Sequence, residues 1–134
     1  MNLTPLALAS VSLATGAALI ASPASAAPAG HTRVVSSCTT AKYKPSSYIL
    51  TCADANTQIR HATYSSWSPK HAEGIGSYVY NTCLPSCAAG TFKHHPVSFT
   101  LYRARTVSGK KLFTRMSVSY AGLTEVFQLP TSGV

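Results

Sequence analysis

Residues 97–120, VSFTLYRARTVSGKKLFTRMSVSY, carry the clearest structural pattern in the chain. Its centre, Ser108-Gly109, has the chemistry of a two-residue hairpin turn, because glycine readily takes the positive φ that such turns need. If Val107 pairs with Lys110 across this turn, the same register places apolar residues opposite each other on one face. Those pairs are Leu101 with Met116, Phe99 with Val118, and Val97 with Tyr120. Since the turn and the hydrophobic alternation select one register independently, the stretch predicts a β-hairpin.

Positive charge collects near the turn of this predicted hairpin. Four cations flank it on the two strands: Arg103, Arg105, Lys110 and Lys111. Farther from the turn, Tyr102 pairs with Arg115 on the opposite face, where the guanidinium can lie over the ring. The sequence therefore predicts one strongly basic end of the hairpin, and the four flanking cations are a candidate binding site.

Other β-type runs precede and follow the hairpin. They are rich in aromatic and β-branched residues, are separated by turn-forming residues, and lie at 33–38, 47–52, 57–67, 74–81 and 123–129. Gly74 and Gly76 mark a bulge or a close approach of the backbone. About seven short strands in all predict an all-β fold, either a small antiparallel β-sandwich or a small closed sheet, stapled by two disulfides.

Four cysteines in a small exported chain predict two disulfides, because the compartment is oxidising and the core is small. Cys38 and Cys52 flank a turn between two β-type runs, whereas Cys83 and Cys87 are close enough to staple one loop. Of the three connectivities, we therefore expect Cys38–Cys52 with Cys83–Cys87. The competing use of the Cys83-x-x-x-Cys87 pattern is a zinc site with the nearby histidines, but export argues against it, and we expect no metal.

The N-terminus, residues 1–26, predicts a secretory signal peptide. The chain from Leu6 to Ile20 is almost wholly apolar or small, and Ala24-Ser25-Ala26 supplies a cleavage pattern. This run is shorter than the roughly 20 residues that span a bilayer, so we expect no transmembrane segment. The expected mature chain has a flexible N-terminus, a single β-domain and a frayed C-terminus, at residues 27–32, 33–130 and 131–134. Its expected location is extracellular or in the cell wall.

The charge balance is strongly basic. The chain holds 11 Lys and Arg against 3 Asp and Glu, a net charge of +8 at pH 7, and all of these charges follow the predicted cleavage site. Such an imbalance attracts polyanions such as wall polymers, anionic headgroups and nucleic acid, although solubility alone is an alternative explanation. Because no motif for reading bases is present, we expect no specific nucleic-acid partner.

Few residues offer the parts of an active site. The carboxylates Asp54, Glu73 and Glu125 lie in a predicted turn, connector and strand, without the spacing of a two-carboxylate hydrolase. The sequence contains neither a Gly-x-Ser-x-Gly elbow nor a phosphate-binding glycine loop. His94-His95 is interpreted as the lead-in to a hairpin strand. We therefore expect a non-enzymatic protein without a cofactor.

Aromatic side chains provide a second candidate binding surface. They come from neighbouring segments and are Tyr64, Trp67, Tyr78 and Tyr80. Flat rings beside basic side chains can hold a peptide, a glycan or a wall polymer. The alternative is that Trp67 and one of the tyrosines belong to the core. The Cys83–Cys87 loop is a third candidate, either as a rigid recognition loop of the kind that protease inhibitors present or as a structural corner.

Two cysteine-containing stretches carry a resemblance to known proteins. Residues 45–56, PSSYILTCADAN, are followed by Trp67 and then by residues 81–90, NTCLPSCAAG. This pattern resembles small secreted proteins of actinobacteria that have no assigned function, and the likeness covers most of the mature chain. Those proteins tend to have a tryptophan at the position of Tyr64. The resemblance implies export and a two-disulfide β-domain, and it provides no catalytic residues to carry over.

These observations lead us to expect a secreted, monomeric, non-enzymatic binding or cell-envelope-associated protein. The expected partner is an anionic wall polymer or another extracellular protein. The candidate surface is the basic hairpin end together with the aromatic residues from Tyr64 to Tyr80. The alternative function is inhibition of extracellular proteases through the Cys83–Cys87 loop.

Overall fold

The computed structural model describes residues 30–132, so the predicted signal peptide, residues 1–26, lies outside the described residues. This part of the chain contains eight strands and no helix. The strands are β1 (Val34–Val35), β2 (Ala41–Lys42), β3 (Tyr48–Ile49), β4 (Thr57–Trp67), β5 (Ala72–Asn81), β6 (Phe92–Val107), β7 (Lys110–Tyr120) and β8 (Leu123–Gln128). Nothing in it forms a helix long and apolar enough to cross a bilayer. The expectation of an antiparallel all-β fold is confirmed.

The strands form two antiparallel sheets. Strands β3 to β8 follow one another in a six-stranded sheet in chain order, and β1 pairs with β2 in a small second sheet. The central strands β4 to β7 contain 10–16 residues each: β4 and β7 have the predicted bounds, whereas β5 and β6 begin earlier than predicted, at Ala72 and Phe92. Register shifts in β4, between Arg60 and Thr63 and between Tyr64 and Ser66, mark irregularities in its ladder with β5.

Residues 33–36 connect the two sides of the curled six-stranded sheet. At one end of this segment, the Arg33 amide donates to the Lys111 carbonyl at 2.9 Å, and the Phe113 amide donates to the Arg33 carbonyl at 2.9 Å. At the other end, the Ile49 amide donates to the Ser36 carbonyl at 2.8 Å. The segment therefore links β7 to β3 close to the turn of the β6–β7 hairpin.

The β6–β7 hairpin has the predicted register. Its ladder runs from Ser98–Ser119 to Val107–Lys110 and includes the expected pairs of Phe99 with Val118 and Leu101 with Met116, while Val97 and Tyr120 lie one position beyond it. Ser108 and Gly109 have φ values of 48° and 74°, as a turn with two left-handed central residues requires.

Arg103 interrupts the regular backbone of this hairpin. Its φ is 53°, it is missing from the ladder, and its carbonyl accepts a hydrogen bond from the Thr114 hydroxyl at 2.9 Å. The predicted contact of Arg115 with the ring of Tyr102 is replaced by another, because the Arg115 guanidinium donates to the Gln128 side chain at 2.9 Å. The first contact fixes the backbone at Arg103, and the second holds the Arg115 side chain.

The core lies on one face of the curled sheet. It is built from buried residues of β1, β3 to β7 and the end of the chain: Val34, Tyr48, Ile59, Ala62, Ala72, Tyr78, Val97, Phe99, Leu101, Phe113, Met116, Val118 and Leu129. Thr32 packs beside it with 3% exposure, its hydroxyl donates to the Pro69 carbonyl, and its own carbonyl accepts from the Trp67 indole, both at 3.0 Å. The last residue of the segment expected to be flexible is therefore held in place.

Both expected disulfides are present. Cys38 pairs with Cys52 and Cys83 pairs with Cys87, with no free cysteine. In residues 30–132, no three His, Cys, Asp or Glu side chains are grouped so that they could hold a metal ion. The first disulfide joins the loop after β1 to the chain after β3, and the second closes the loop between β5 and β6.

Candidate functional site

The residues proposed as one binding surface lie at two ends of the sheet. Arg103 and Arg105 are near the turn end of β6, whereas Tyr78 and Tyr80 pair with the opposite end of that strand, at His95 and Lys93. At roughly 3.3 Å per residue, His95 and Arg105 are about 30 Å apart along the strand. The structure therefore does not bring Tyr78 and Tyr80 to the basic hairpin end.

Three guanidinium groups line one cleft at the hairpin end. This arginine cleft has a volume of about 300 Å³ and is lined by Arg103, Arg105 and Arg115, with Thr114, Gln128 and Thr131 among its neutral residues. The hydrogen bond from Arg115 to Gln128 holds one of the three side chains, and the left-handed backbone of Arg103 sets the direction in which its side chain leaves the strand. Arg103 and Arg105 are exposed.

A second cleft lies beside the same turn. This lysine cleft has a volume of about 440 Å³ and is lined by Arg33, Lys110 and Lys111, with His31, Thr106 and the two glycines Gly30 and Gly109. Its position depends on the hydrogen bonds that tie Arg33 to β7. Six of the chain's eleven Lys and Arg residues line these two clefts, which we call together the basic end.

The carboxylates do not neutralise the basic end, since none of the three lines either cleft. Asp54 accepts hydrogen bonds from the backbone and side chain of Asn56 at 3.1 and 2.8 Å, and these bonds lower the pKa of its carboxyl. Glu125 accepts from the hydroxyls of Tyr78 and Tyr120 at 3.0 and 2.5 Å. Glu73 lies on β5, paired with Thr100. The positive charge of the basic end is therefore available to a ligand.

Two aromatic rings adjoin the basic end. Trp67 lines a third cleft, of about 240 Å³, together with His31 and Lys111. Tyr43 is 42% exposed, stacks on His31 with ring centroids 4.5 Å apart, and meets Trp67 edge-on at 5.2 Å. Tyr43 was not among the predicted site residues, because it lies in the segment between Cys38 and Cys52 that was interpreted as a turn. The sequence signal for Tyr43 is an aromatic residue between two lysines, which is a pattern typical of a basic binding surface.

Tyr64 has a structural position. Its hydroxyl contacts the Tyr48 hydroxyl and the Pro45 carbonyl, each at 2.5 Å, and its ring meets Trp67 and Phe99 edge-on. Burial raises the pKa of Tyr64 to about 12 and raises that of Tyr48 further. Trp67 serves both as a cleft wall and as a partner of the core residue Phe113, with ring centroids 5.5 Å apart.

The opposite end of the sheet carries a separate aromatic cluster. Three neighbouring strands each contribute one ring to a stack in which Tyr80 lies 5.8 Å from His95, and His95 lies 5.6 Å from Tyr120. The hydrogen bond to Glu125 raises the pKa of Tyr120 to about 12, and burial raises the pKa of Tyr78. Tyr78 and Tyr80 were predicted from the sequence as candidate binding residues, whereas their stacking with His95 and Tyr120 was not predicted.

The Cys83–Cys87 loop is the third predicted candidate. Leu84 within it is 74% exposed. The Asn81 side chain fixes both ends of the loop, because its amide donates to the Cys87 carbonyl at 2.8 Å and its oxygen accepts from the Cys83 amide at 3.0 Å. The loop therefore holds the exposed side chain of Leu84 on a rigid backbone, far from the basic end.

Known proteins offer no comparison for this site. No family model, no curated protein and no solved structure matches the chain. Function is therefore inferred from the residues that line the clefts.

Proposed function

We propose that this protein is a secreted, non-enzymatic, envelope-associated protein that binds an anionic wall polymer at its basic end. The observation that carries this proposal is the collection of six cationic side chains around two clefts at one hairpin turn, with no carboxylate among the lining residues. Two disulfides are compatible with an extracellular location. The resemblance of the cysteine-containing stretches to secreted proteins supports the same location.

Electrostatic attraction is the main source of affinity in this proposal. A polyanion that neutralises several clustered cations releases its condensed counterions, so binding is favourable at low salt and weakens steeply as salt rises. Tyr43, which is exposed and stacks on His31, and the partly exposed Trp67 provide apolar ring surface against which a sugar or polyol unit packs between charged groups. The basic end thus combines charge with ring faces, as a charged glycan or polyol polymer requires.

The test measures retention of the protein on isolated cell-wall polymer at low and high salt. We expect the wild type to be retained at low salt and released at high salt. The variant Arg103→Ser/Arg105→Ser/Lys110→Ser/Lys111→Ser should not be retained at either salt concentration. Two double variants that each remove two positive charges distinguish an effect of the basic end from an effect of net charge. Arg103→Ser/Arg105→Ser should weaken retention far more than Arg60→Ser/Lys93→Ser, which removes the same charge elsewhere. Equal retention of these two double variants would contradict the proposal.

Inhibition of extracellular proteases by the Cys83–Cys87 loop is the second candidate function. The observation that favours it is the exposed Leu84 on a loop held rigid by a disulfide and by Asn81, since preorganisation lowers the entropic cost of binding. Titration against secreted proteases tests it. Stoichiometric inhibition that is lost in Leu84→Gly would support this function, whereas full protease activity at excess protein would exclude it for the enzymes tested.

A further inference from the structure

The two clefts of the basic end differ in the kind of cation that they present. The arginine cleft gathers three guanidinium groups, whereas the lysine cleft has two ammonium groups and one guanidinium. A guanidinium is a planar fork with five N–H donors that engages an oxyanion through paired hydrogen bonds, whereas an ammonium acts as a compact point charge. The arginine cleft can therefore discriminate between anions by their geometry as well as by their charge.

One side chain of the arginine cleft, that of Arg115, is held before any ligand arrives, and the backbone that carries a second, Arg103, is fixed. The Arg115 guanidinium uses one nitrogen to donate to Gln128 at 2.9 Å, which leaves its other donors free for a ligand. At Arg103, the left-handed φ and the bond from the Thr114 hydroxyl to the carbonyl fix the backbone from which the exposed side chain leaves the strand. Such preorganisation reduces the entropy lost when an anion is bound.

The chemistry of the cleft distinguishes between classes of anion. A carboxylate offers two oxygens in one plane, whereas a phosphoryl group offers oxygens in a tetrahedral arrangement that donors can approach from several sides. Clusters of arginine are a recurring means of phosphoryl recognition. A volume of about 300 Å³ lies at the small end of ligand sites and admits one such group with its immediate neighbours.

We infer that the arginine cleft is a phosphoryl-binding subsite, so that the polymer bound at the basic end is joined by phosphodiesters. This inference rests on the proposed function and adds to it the chemical class of the ligand. The neighbouring residues Arg105 and Thr106 line the arginine and lysine clefts respectively. Because successive side chains of a strand point to opposite faces, a polymer that occupies both clefts passes around the hairpin turn, with one phosphate in the arginine cleft and a later one beside Lys110 and Lys111.

The test compares two polymers at one ionic strength. Dissociation constants are measured for poly(glycerol phosphate) and for poly(glutamate) of equal length, which each carry one negative charge per repeat. We expect the wild type to prefer the phosphodiester polymer about tenfold, the size of one charge-assisted hydrogen bond. In Arg103→Lys/Arg105→Lys/Arg115→Lys, which keeps the net charge, we expect the affinity for poly(glutamate) to be almost unchanged and the preference to disappear.

Controls make the outcomes distinguishable. Arg60→Lys exchanges a guanidinium group that lines neither cleft and should keep the preference. Arg103→Lys/Arg105→Lys leaves the Arg115–Gln128 contact intact and serves if the triple variant does not fold. Equal affinity of the wild type for both polymers, or a preference that survives in the lysine variants, would overturn the phosphoryl subsite and leave the proposed function standing. Binding to neither polymer would overturn both.

A nucleic acid also carries phosphodiesters, so a third arm uses an oligodeoxythymidine of matched charge. We expect it to bind no more tightly than poly(glycerol phosphate), because the basic end lacks a base-reading motif. Tighter binding of the oligonucleotide would overturn the assignment of the ligand to a wall polymer.

Discussion

At the scale of single residues, the buried hydroxyl of Tyr48 shows how the core tolerates a polar group. Tyr48 is 1% exposed, and its hydroxyl is paired with that of Tyr64, which in turn reaches the Pro45 carbonyl. A buried hydroxyl without a partner would cost about 1–3 kcal/mol. Burial raises the pKa of both tyrosines, because ionisation would place a charge in the core.

The raised pKa values predict a loss of stability at alkaline pH. In the unfolded chain these tyrosines ionise near pH 10, whereas in the folded chain Tyr64 ionises near pH 12 and Tyr48 resists longer. The stabilisation is therefore complete below pH 10 and is lost as pH rises from 10 through 12. In Tyr48→Phe, the free energy of unfolding, measured by urea titration, should fall less steeply over that range, by up to about 1.4 kcal/mol per pH unit. Equal slopes in wild type and variant would contradict the assignment.

Gly74 is a residue at which the packing leaves no room for a side chain. A Cβ there would meet the carbonyl oxygen of Thr63, and it would lie 2.6 Å from the Phe99 ring. We expect Gly74→Ala to lower the free energy of unfolding by about 1–3 kcal/mol, the usual cost of overpacking. Gly30→Ala is the control, because a Cβ at Gly30 has nothing within 4 Å. A Gly74→Ala protein as stable as the control would contradict this expectation, because it would show that β4 and β6 move away from β5 at little cost in free energy.

At the scale of elements, the β6–β7 hairpin was predictable because its determinants are local. The turn residues and the alternation of apolar residues lie within one stretch, and they agree on one register. The link between β7 and β3 was not predictable, because the hydrogen bonds of Arg33 and Ser36 join residues far apart in sequence. The same distinction applies to the site. Arg103, Arg105, Lys110 and Lys111 were found together on one hairpin, whereas Arg33 and Tyr43 reach the basic end only through tertiary contacts.

The hairpin turn gives a test at this scale. Ser108 and Gly109 both have positive φ, which a β-branched residue adopts only with strain. Gly109→Val should therefore lower the free energy of unfolding by about 1–3 kcal/mol, and it should weaken polymer binding by moving Lys110. Ser108→Asn should be neutral or slightly stabilising, because asparagine tolerates this conformation. Urea titration of both variants checks this, and a Gly109→Val protein of wild-type stability would argue against the turn.

At the scale of the whole molecule, charge is distributed unevenly along the sheet. The basic end holds six cations, whereas the opposite end holds the Tyr80–His95–Tyr120 stack and the carboxylate of Glu125. A protein polarised in this way meets a polyanion with one end first, because its field steers the approach. The excess of positive charge was predicted from the sequence. The basic hairpin end and the aromatic residues were also predicted to form one surface, although Tyr78 and Tyr80 lie at the other end of the sheet. Strand pairing, which decides which residues are neighbours, separates them.

The salt dependence of polymer affinity is the decisive measurement for a polyanion-binding basic end. The logarithm of the binding constant for poly(glycerol phosphate) is plotted against the logarithm of salt concentration, and each neutralised phosphate on a single chain contributes a slope of about −0.7. For six clustered cations we predict a slope of about −4. In Arg103→Ser/Arg105→Ser/Lys110→Ser/Lys111→Ser the slope should become shallower by about 3, while Arg60→Ser/Lys93→Ser should leave it almost unchanged. Parallel lines for the wild type and the fourfold variant would contradict a polyanion-binding basic end.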